Sequence, residues 1–160
     1  NKINIFMFDT KKSISKLERI KKSLTYLKNH EYVGVNYGDA ICNIDIRSIY
    51  KKFIKSNLNA IMSVITMKSP FGHVLIKNNT VKQFTEKPDL PFPTNIGYYF
   101  FKSASIINYN KKNSELETSF LNSQIKKKNL GFYFHKGYFH TVNHKQDLIN
   151  FKQKEKKIIK

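Results

Sequence analysis

Tyr37-Gly38-Asp39 places a carboxylate directly after a strand-like run, Glu31 to Asn36. Loops at the carboxyl ends of strands are where open α/β sheets take ligands. A carboxylate there can hold Mg²⁺ against phosphate oxygens, although Asp39 would serve equally well as a turn cap. A second group is Glu86-Lys87-Pro88 at the end of another strand-like run. Pro88 disfavours helix at the residue before it, so Lys87 is expected to be extended. Adjacent side chains on an extended segment diverge, so Glu86 and Lys87 can serve different parts of one ligand. A hydroxyl acceptor beside an ammonium suits a sugar phosphate; the alternative is an exposed ion pair of little energetic value. His135, His140 and His144 match neither a helical two-histidine metal pair nor a zinc signature, and read as ordinary polar residues. Cys42 has no neighbour that would activate a thiol and reads as small and buried.

These groups need a frame, and the apolar periodicity supplies one. Ile3 to Phe8 reads as a buried strand. A helix opening at Ser13 carries a stripe of Ile14, Leu17, Ile20, Leu24 and Leu27. A second helix starts at the N-cap Asp45, with Ile46, Ile49, Tyr50, Phe53 and Ile54 on one face. Ala60 to Met67 is a further strand, and the strand–helix–strand rhythm predicts a mostly parallel sheet covered by helices. After the turn Ser69-Pro70-Phe71-Gly72, His73 to Lys77 and Val81 to Glu86 form a hairpin about Asn78-Asn79. The three prolines of 88–93 exclude helix and central strand. Asn95 to Lys102 resumes as an aromatic strand. Ser114-x-x-Glu117 reads as a capping box opening a helix with Leu116, Phe120, Leu121 and Ile125 inward. Gly131 to Phe134 and Tyr138 to Val142 are closing strands, followed by a polar helix from His144. With no repeat and no linker, residues 1–160 read as a single α/β domain.

The formal charge of +18 ordinarily points to a polyanion. Here it is nearly all lysine, with Arg19 and Arg47 the only arginines, so the bidentate group favoured for reading bases and phosphates is scarce. The abundance of Lys, Asn and Ile is what AT-rich codons produce, so nucleic acid is disfavoured as a partner. No run of about 18 apolar residues is present, and no membrane partner is expected. A lone cysteine excludes an internal disulfide and fits a reducing, cytoplasmic setting.

Taken in order, several stretches make a more specific pattern. They are Phe8-Asp9-Thr10, Leu17-Glu18-Arg19-Ile20, Tyr37-Gly38-Asp39 with Ile44-Asp45, Phe71-Gly72, Glu86-Lys87-Pro88, Asn95-Ile96-Gly97-Tyr98-Tyr99-Phe100-Phe101, and Gly137-Tyr138-Phe139. The series resembles the sugar-1-phosphate nucleotidyltransferases, most closely their glucose-1-phosphate cytidylyltransferase branch, over residues 3 to 151. The resemblance implies a Rossmann-like nucleotide-diphospho-sugar transferase fold with a small antiparallel sugar-binding portion. It implies attack by a sugar-1-phosphate oxygen on the α-phosphorus of a nucleoside triphosphate, CTP in that branch, with Mg²⁺ as cofactor and pyrophosphate as product. Asp39 would hold the metal, and Gly72 would let backbone approach the sugar. Glu86 and Asn95 would bind sugar hydroxyls, Lys87 the sugar phosphate, and Gly97 would belong to the same substrate set. Partners would be the two substrates, a nucleoside triphosphate and a sugar-1-phosphate, and a homo-oligomer is possible.

Three departures qualify the expectation. The family's opening strand and its Gly-rich loop do not occur here, so the chain reads as N-terminally truncated and is not expected to turn over alone. The family's Thr-Gly-Gly-Arg is Ser13-Ile14-Ser15-Lys16, and its late metal-binding Asp falls on Asn143, an amide that can coordinate but supplies no charge. A non-catalytic sugar-phosphate-binding relative therefore stands as one alternative, and a basic nucleic-acid-binding domain as another.

Overall fold

The computed structural model describes residues 4–7, 9, 10, 14–27 and 29–158, with 153–158 by backbone alone. Its strands are β1 (Tyr32–Asn36), β2 (Ala40–Cys42), β3 (Ala60–Ile65), β4 (His73–Lys77), β5 (Thr80–Thr85), β6 (Thr94–Lys102), β7 (Leu130–Phe134) and β8 (Phe139–Thr141). The helices are α1 (Lys16–Tyr26), α2 (Ile46–Ser56), α3 (Ser103–Ile107), a π-helical stretch (Leu116–Leu121) that runs into α4 (Asn122–Lys126), and α5 (Lys145–Ile158).

The main sheet has the order β1-β6-β3-β7. β6 pairs antiparallel with both β1 and β3, while β3 and β7 pair in parallel. Three of the four strands thus share one direction, as the strand–helix–strand rhythm predicts. The reversed β6 lies between β1 and β3, so only one of the three ladders is parallel. β2 and β8 form a separate two-stranded ladder, and β4 and β5 the expected hairpin.

Strand side chains alternate between faces, and β6 uses both. Tyr99 and Phe101 enter a core with Leu17, Ile20 and Leu24 of α1, Ile106 of α3, and Leu116 and Phe120 of the π-helical stretch. Phe100 points the other way, onto Ile49 and Phe53 of α2. Helices therefore cover both faces, which is the α/β arrangement. On α2 only Ile49 and Phe53 are fully buried; Ile46, Tyr50 and Ile54 flank them in partial exposure. Asp45 caps this helix, its carboxylate accepting from Arg47 N–H at 2.9 Å and Ser48 N–H at 3.2 Å.

Four local expectations are corrected. Asn4 to Met7 form no strand and are exposed, Met7 at 92 %, because no strand of the described chain pairs with them. Ile3 and Phe8 lie outside the described residues, as does Ser13. The cap of α1 is Ser15, whose hydroxyl accepts from Glu18 N–H at 3.2 Å and donates to Ser114 C=O at 2.8 Å. The capping box at Ser114 does not form. Ser114 is buried and its hydroxyl donates to Lys111 C=O at 2.7 Å, while Glu117 turns away to a cation and a phenol. The helix opens instead on a wide turn in which Phe120 N–H reaches Glu115 C=O at 3.1 Å. That wider turn shifts the angular spacing, so Gln124 faces inward and Ile125 is exposed. Finally, Lys87 is left-handed, with φ +46°, rather than extended. The chain leaving β5 must reverse here, because Ser69 N–H bonds Pro88 C=O at 2.8 Å and Leu90 N–H bonds Met67 C=O at 2.7 Å.

Candidate active site

The carboxyl end of β1 meets a kink in β6. Met62 of β3 pairs with Tyr99, but Val64 pairs with Asn95, so Ile96 to Tyr98 bulge opposite Ser63. Gly97 within the bulge has φ +77°. An added Cβ there would lie 2.7 Å from Tyr37 Cδ2, so the glycine is required both by its conformation and by the ring beside it. Tyr37 N–H bonds Gly97 C=O at 3.1 Å, and Asn95 Oδ1 accepts from Gly97 N–H at 3.0 Å. Such bulges re-aim side chains, and here Asn95 Nδ2 is brought 2.5 Å from the Tyr99 hydroxyl.

The polar chain continues outward. The Tyr99 and Tyr37 hydroxyls are 3.2 Å apart, and Tyr37 also donates to Glu117 Oε1. The same carboxylate oxygen takes Lys16 Nζ at 2.5 Å, and that ammonium lies 4.4 Å above the Tyr37 ring. Burial and the hydrogen bond to Glu117 push the Tyr37 phenol far above its ordinary range. Burial likewise raises Tyr99. For Glu117, burial works to raise the pKa, but the hydrogen bonds from Lys16 and Tyr37 outweigh it and hold the carboxyl low.

A carboxyl held below its ordinary value stabilises the fold above that value, and the stabilisation is lost as pH falls through the lowered one. For Glu117 the loss should begin below about pH 4.5, its ordinary value. Urea denaturation of the native chain and Glu117→Gln at several pH values checks this. The gap between their midpoints should be widest near neutrality and close on acidification; a gap that is constant with pH would count against it.

Beside this network a cavity of about 400 Å³ opens, lined by Lys16, Arg19, Tyr37, Gly38, Asp39 and Leu116 among others. Two cations and one carboxylate around one cleft suit phosphate groups and their counter-ion. Asp39 C=O accepts from Val142 N–H at 2.9 Å, which carries the ladder of β2 and β8 up to Asp39 and brings Asn143 close to it along the chain. Asn143 Nδ2 contacts Thr141 Oγ1 at 3.3 Å, leaving Oδ1 as the end to meet a cation. Asp147 fixes this turn, one carboxylate oxygen accepting from the N–H groups of Asn143 and His144, both at 2.9 Å. No group of three or more metal-ligating side chains occurs among the described residues. His135 is buried, with Nε2 3.0 Å from Tyr138 C=O, and Cys42 is half-buried rather than buried.

The hairpin end holds a second cluster. An added Cβ on Gly72 would lie 2.5 Å from Phe84 Cζ and 3.0 Å from Glu86 Oε2, so Gly72 and Glu86 are neighbours. Lys87 Nζ is 3.9 Å from Glu86 Oε1, and both side chains are largely exposed. No hydrogen bond or ion pair among the described residues joins this cluster to Asn95 and Gly97. The candidate residues thus fall into two groups, Asp39, Asn95, Gly97 and Asn143 around the sheet, and Gly72, Glu86 and Lys87 on the hairpin. Lys16, Tyr99 and Glu117 carry much of the polar geometry, yet the local patterns they sit in do not mark them as site residues. Lys16 and Glu117 meet across 101 positions.

The sequence profile of the family described as Nucleotidyl transferase matches residues 8–155. The chain belongs to the nucleotidyl transferase family. Its solved structural neighbours agree in fold. A Bacillus anthracis protein described as a glucose-1-phosphate thymidylyltransferase, solved with sucrose, superposes with a TM-score of 0.63 at 21% identity, over 88% of this chain and 61% of that one. HddC from Yersinia pseudotuberculosis superposes with a TM-score of 0.60 at 23% identity, over 88% of this chain and 62% of its own. The same protein complexed with GMP-PN gives 0.57 at 20% identity, over the same shares of 88% and 62%. This family member therefore spans about three fifths of the length of the solved structures it matches. No curated protein matches it. No helix among the described residues is long and apolar enough to cross a membrane.

Proposed function

We propose that this member of the family acts in nucleotidyl transfer to a hexose-1-phosphate, with CTP as donor and pyrophosphate as the second product. The observation that carries the reading is the hairpin cluster. Gly72 lets the Phe84 ring and the Glu86 carboxylate close on its backbone, and the Lys87 ammonium stands 3.9 Å from that carboxylate. In this reading Glu86 accepts from sugar hydroxyls, Lys87 neutralises the sugar phosphate, and the bare backbone of Gly72 is the edge that the sugar approaches. Asn95, held by the Gly97 bulge, offers its remaining amide hydrogen and carbonyl lone pair to another hydroxyl. Asp39 and the Oδ1 of Asn143 would hold Mg²⁺. That ion would supply charge neutralisation at phosphate oxygens, and sites built from one or two protein ligands plus substrate phosphates are usual for it. Lys16 and Arg19 add positive charge to the cleft. Displacement at phosphorus asks chiefly for such positioning and neutralisation.

Isothermal titration of the 160-residue chain with α-glucose-1-phosphate and MgCl₂ tests the proposal. Glu86→Gln should weaken binding by roughly tenfold or more, the usual worth of a hydrogen bond to a charged group. Equal affinity in the native chain and this variant, or no binding at millimolar sugar phosphate, would sink it. Asn143 favours a second reading, a relative that binds sugar phosphate without turning it over. In that case Asn143→Asp should strengthen the Mg²⁺ dependence of binding, and the native chain should show little.

A further inference from the structure

The hydroxyls of Tyr37 and Tyr99 can each donate or accept, so their chain of hydrogen bonds takes its direction from the groups at its two ends. Glu117 is one of them. An ionised carboxylate only accepts. Lys16 Nζ and the Tyr37 hydroxyl both aim at its Oε1, so the Tyr37 proton points to Glu117. The Tyr37 oxygen then faces Tyr99 as acceptor, and the Tyr99 proton must point to Tyr37 at 3.2 Å. The Tyr99 oxygen is left to accept from Asn95 Nδ2 at 2.5 Å. At the far end Asn95 Oδ1 accepts from Gly97 N–H at 3.0 Å, which an inverted amide could not do. Gly97 N–H can only donate and is the second end, and the two ends set the same direction.

We infer that Glu117 is a positioning residue that, through Tyr37 and Tyr99 and in agreement with Gly97 N–H at the other end, locks the Asn95 amide and with it the hydroxyl pattern the sugar site accepts. The π-helical stretch is what brings Glu117 there. Its wide turn opens at Leu116 and sets Glu117 in the first turn. Lys16 holds the carboxylate from the other side, at the first turn of α1. The sugar specificity rests on the hexose-1-phosphate reading above; the orientation of Asn95 does not.

Two measurements on the 160-residue chain separate these layers. The first is ¹⁵N NMR of the Asn95 side-chain amide without ligand. The native chain should show two unequal amide protons, the one on Tyr99 slow to exchange with solvent. Tyr99→Phe keeps the ring and removes the acceptor, and Glu117→Gln lets an amide donate to Tyr37 so that the direction is lost. In both variants exchange of that proton should quicken by about fivefold, on the order of one hydrogen bond. The second is binding of α-glucose-1-phosphate. Glu117→Gln should weaken it by about fivefold, and the double variant with Asn95→Ala should be no weaker than Asn95→Ala alone. Unchanged Asn95 exchange in Glu117→Gln and Tyr99→Phe, or additive losses in the double variant, would overturn the inference. If the native chain binds no sugar phosphate, the functional reading fails, and the exchange measurement still decides the role of Glu117. If Glu117→Gln does not fold, Tyr37→Phe, which keeps the ring and cuts Glu117 off from Tyr99, carries the test: the same quickening is expected, and unchanged exchange would overturn the inference.

Discussion

Gly97→Ala should destabilise the chain by about 3 kcal/mol and loosen the Asn95 end of the polar network. A side chain at left-handed φ costs about 1–2 kcal/mol, and Gly97 sits at φ +77°. The new methyl would also stand 2.7 Å from Tyr37 Cδ2 and 2.9 Å from Cγ, atoms of the ring and not of a free side-chain end. Tyr37 cannot swing aside freely, because its hydroxyl is tied to Glu117 and Tyr99. Overpacking of this kind adds about 1–3 kcal/mol. Urea denaturation measures the total, and the amide spectrum of Asn95 reports whether the bulge has moved. A midpoint within error of the native chain would mean that the bulge relaxes at no cost.

Phe101→Ala should cost more, about 3–5 kcal/mol, the usual range for removing a buried aromatic side chain. Phe101 is fully buried, 5.5 Å from Tyr99 in a stacked pair and 5.7 Å from Phe120 in an edge contact. It joins β6 to the helical layer that carries Glu117, so its loss should reach the site as well as the core. Domains of this size are stable by only about 5–15 kcal/mol, and the variant should be partly unfolded at room temperature. Phe92→Ala is the control. At 78% exposure it should change stability by no more than about 0.5 kcal/mol. Similar losses from the two replacements would refute the division between core and surface.

Much of the frame is legible in the residues. The stripe of Leu17, Ile20 and Leu24, the Asp45 cap and the Asn78-Asn79 hairpin rest on local spacing, and local spacing survives into the fold. What escapes is what depends on a distant partner. Ser114 and Glu117 have the spacing of a capping box, but the Ser114 hydroxyl turns back to Lys111 C=O, and Lys16, about a hundred positions away, claims Glu117. Lys87 has the extended bias of any residue before proline, and the pairing of 88–90 with 67–69 overrides it. β2 is only Ala40–Cys42 and α3 only Ser103–Ile107, both too short to show a period. The reversal of β6 is invisible because an aromatic buried strand reads alike in either direction. Of the candidate site, the positions of Asp39, Gly72, Glu86, Asn95 and Gly97 follow from motif, while the tyrosine relay between them follows only from packing.

The place of β6 also orders events in time. Every ladder of the main sheet needs β6 or β7, since β1 and β3 meet only through β6. Among the described residues up to 93, the elements that can form without β6 or β7 are local ones, such as the β4–β5 hairpin and helices α1 and α2. β1 must then wait to capture Tyr98 to Lys102, more than sixty positions on. Closing such loops before any reward is what makes non-local sheets slow to fold. The strand that carries Asn95 and Gly97 is thus also the one whose arrival commits the chain to its fold, so a lesion there should show first in the refolding rate.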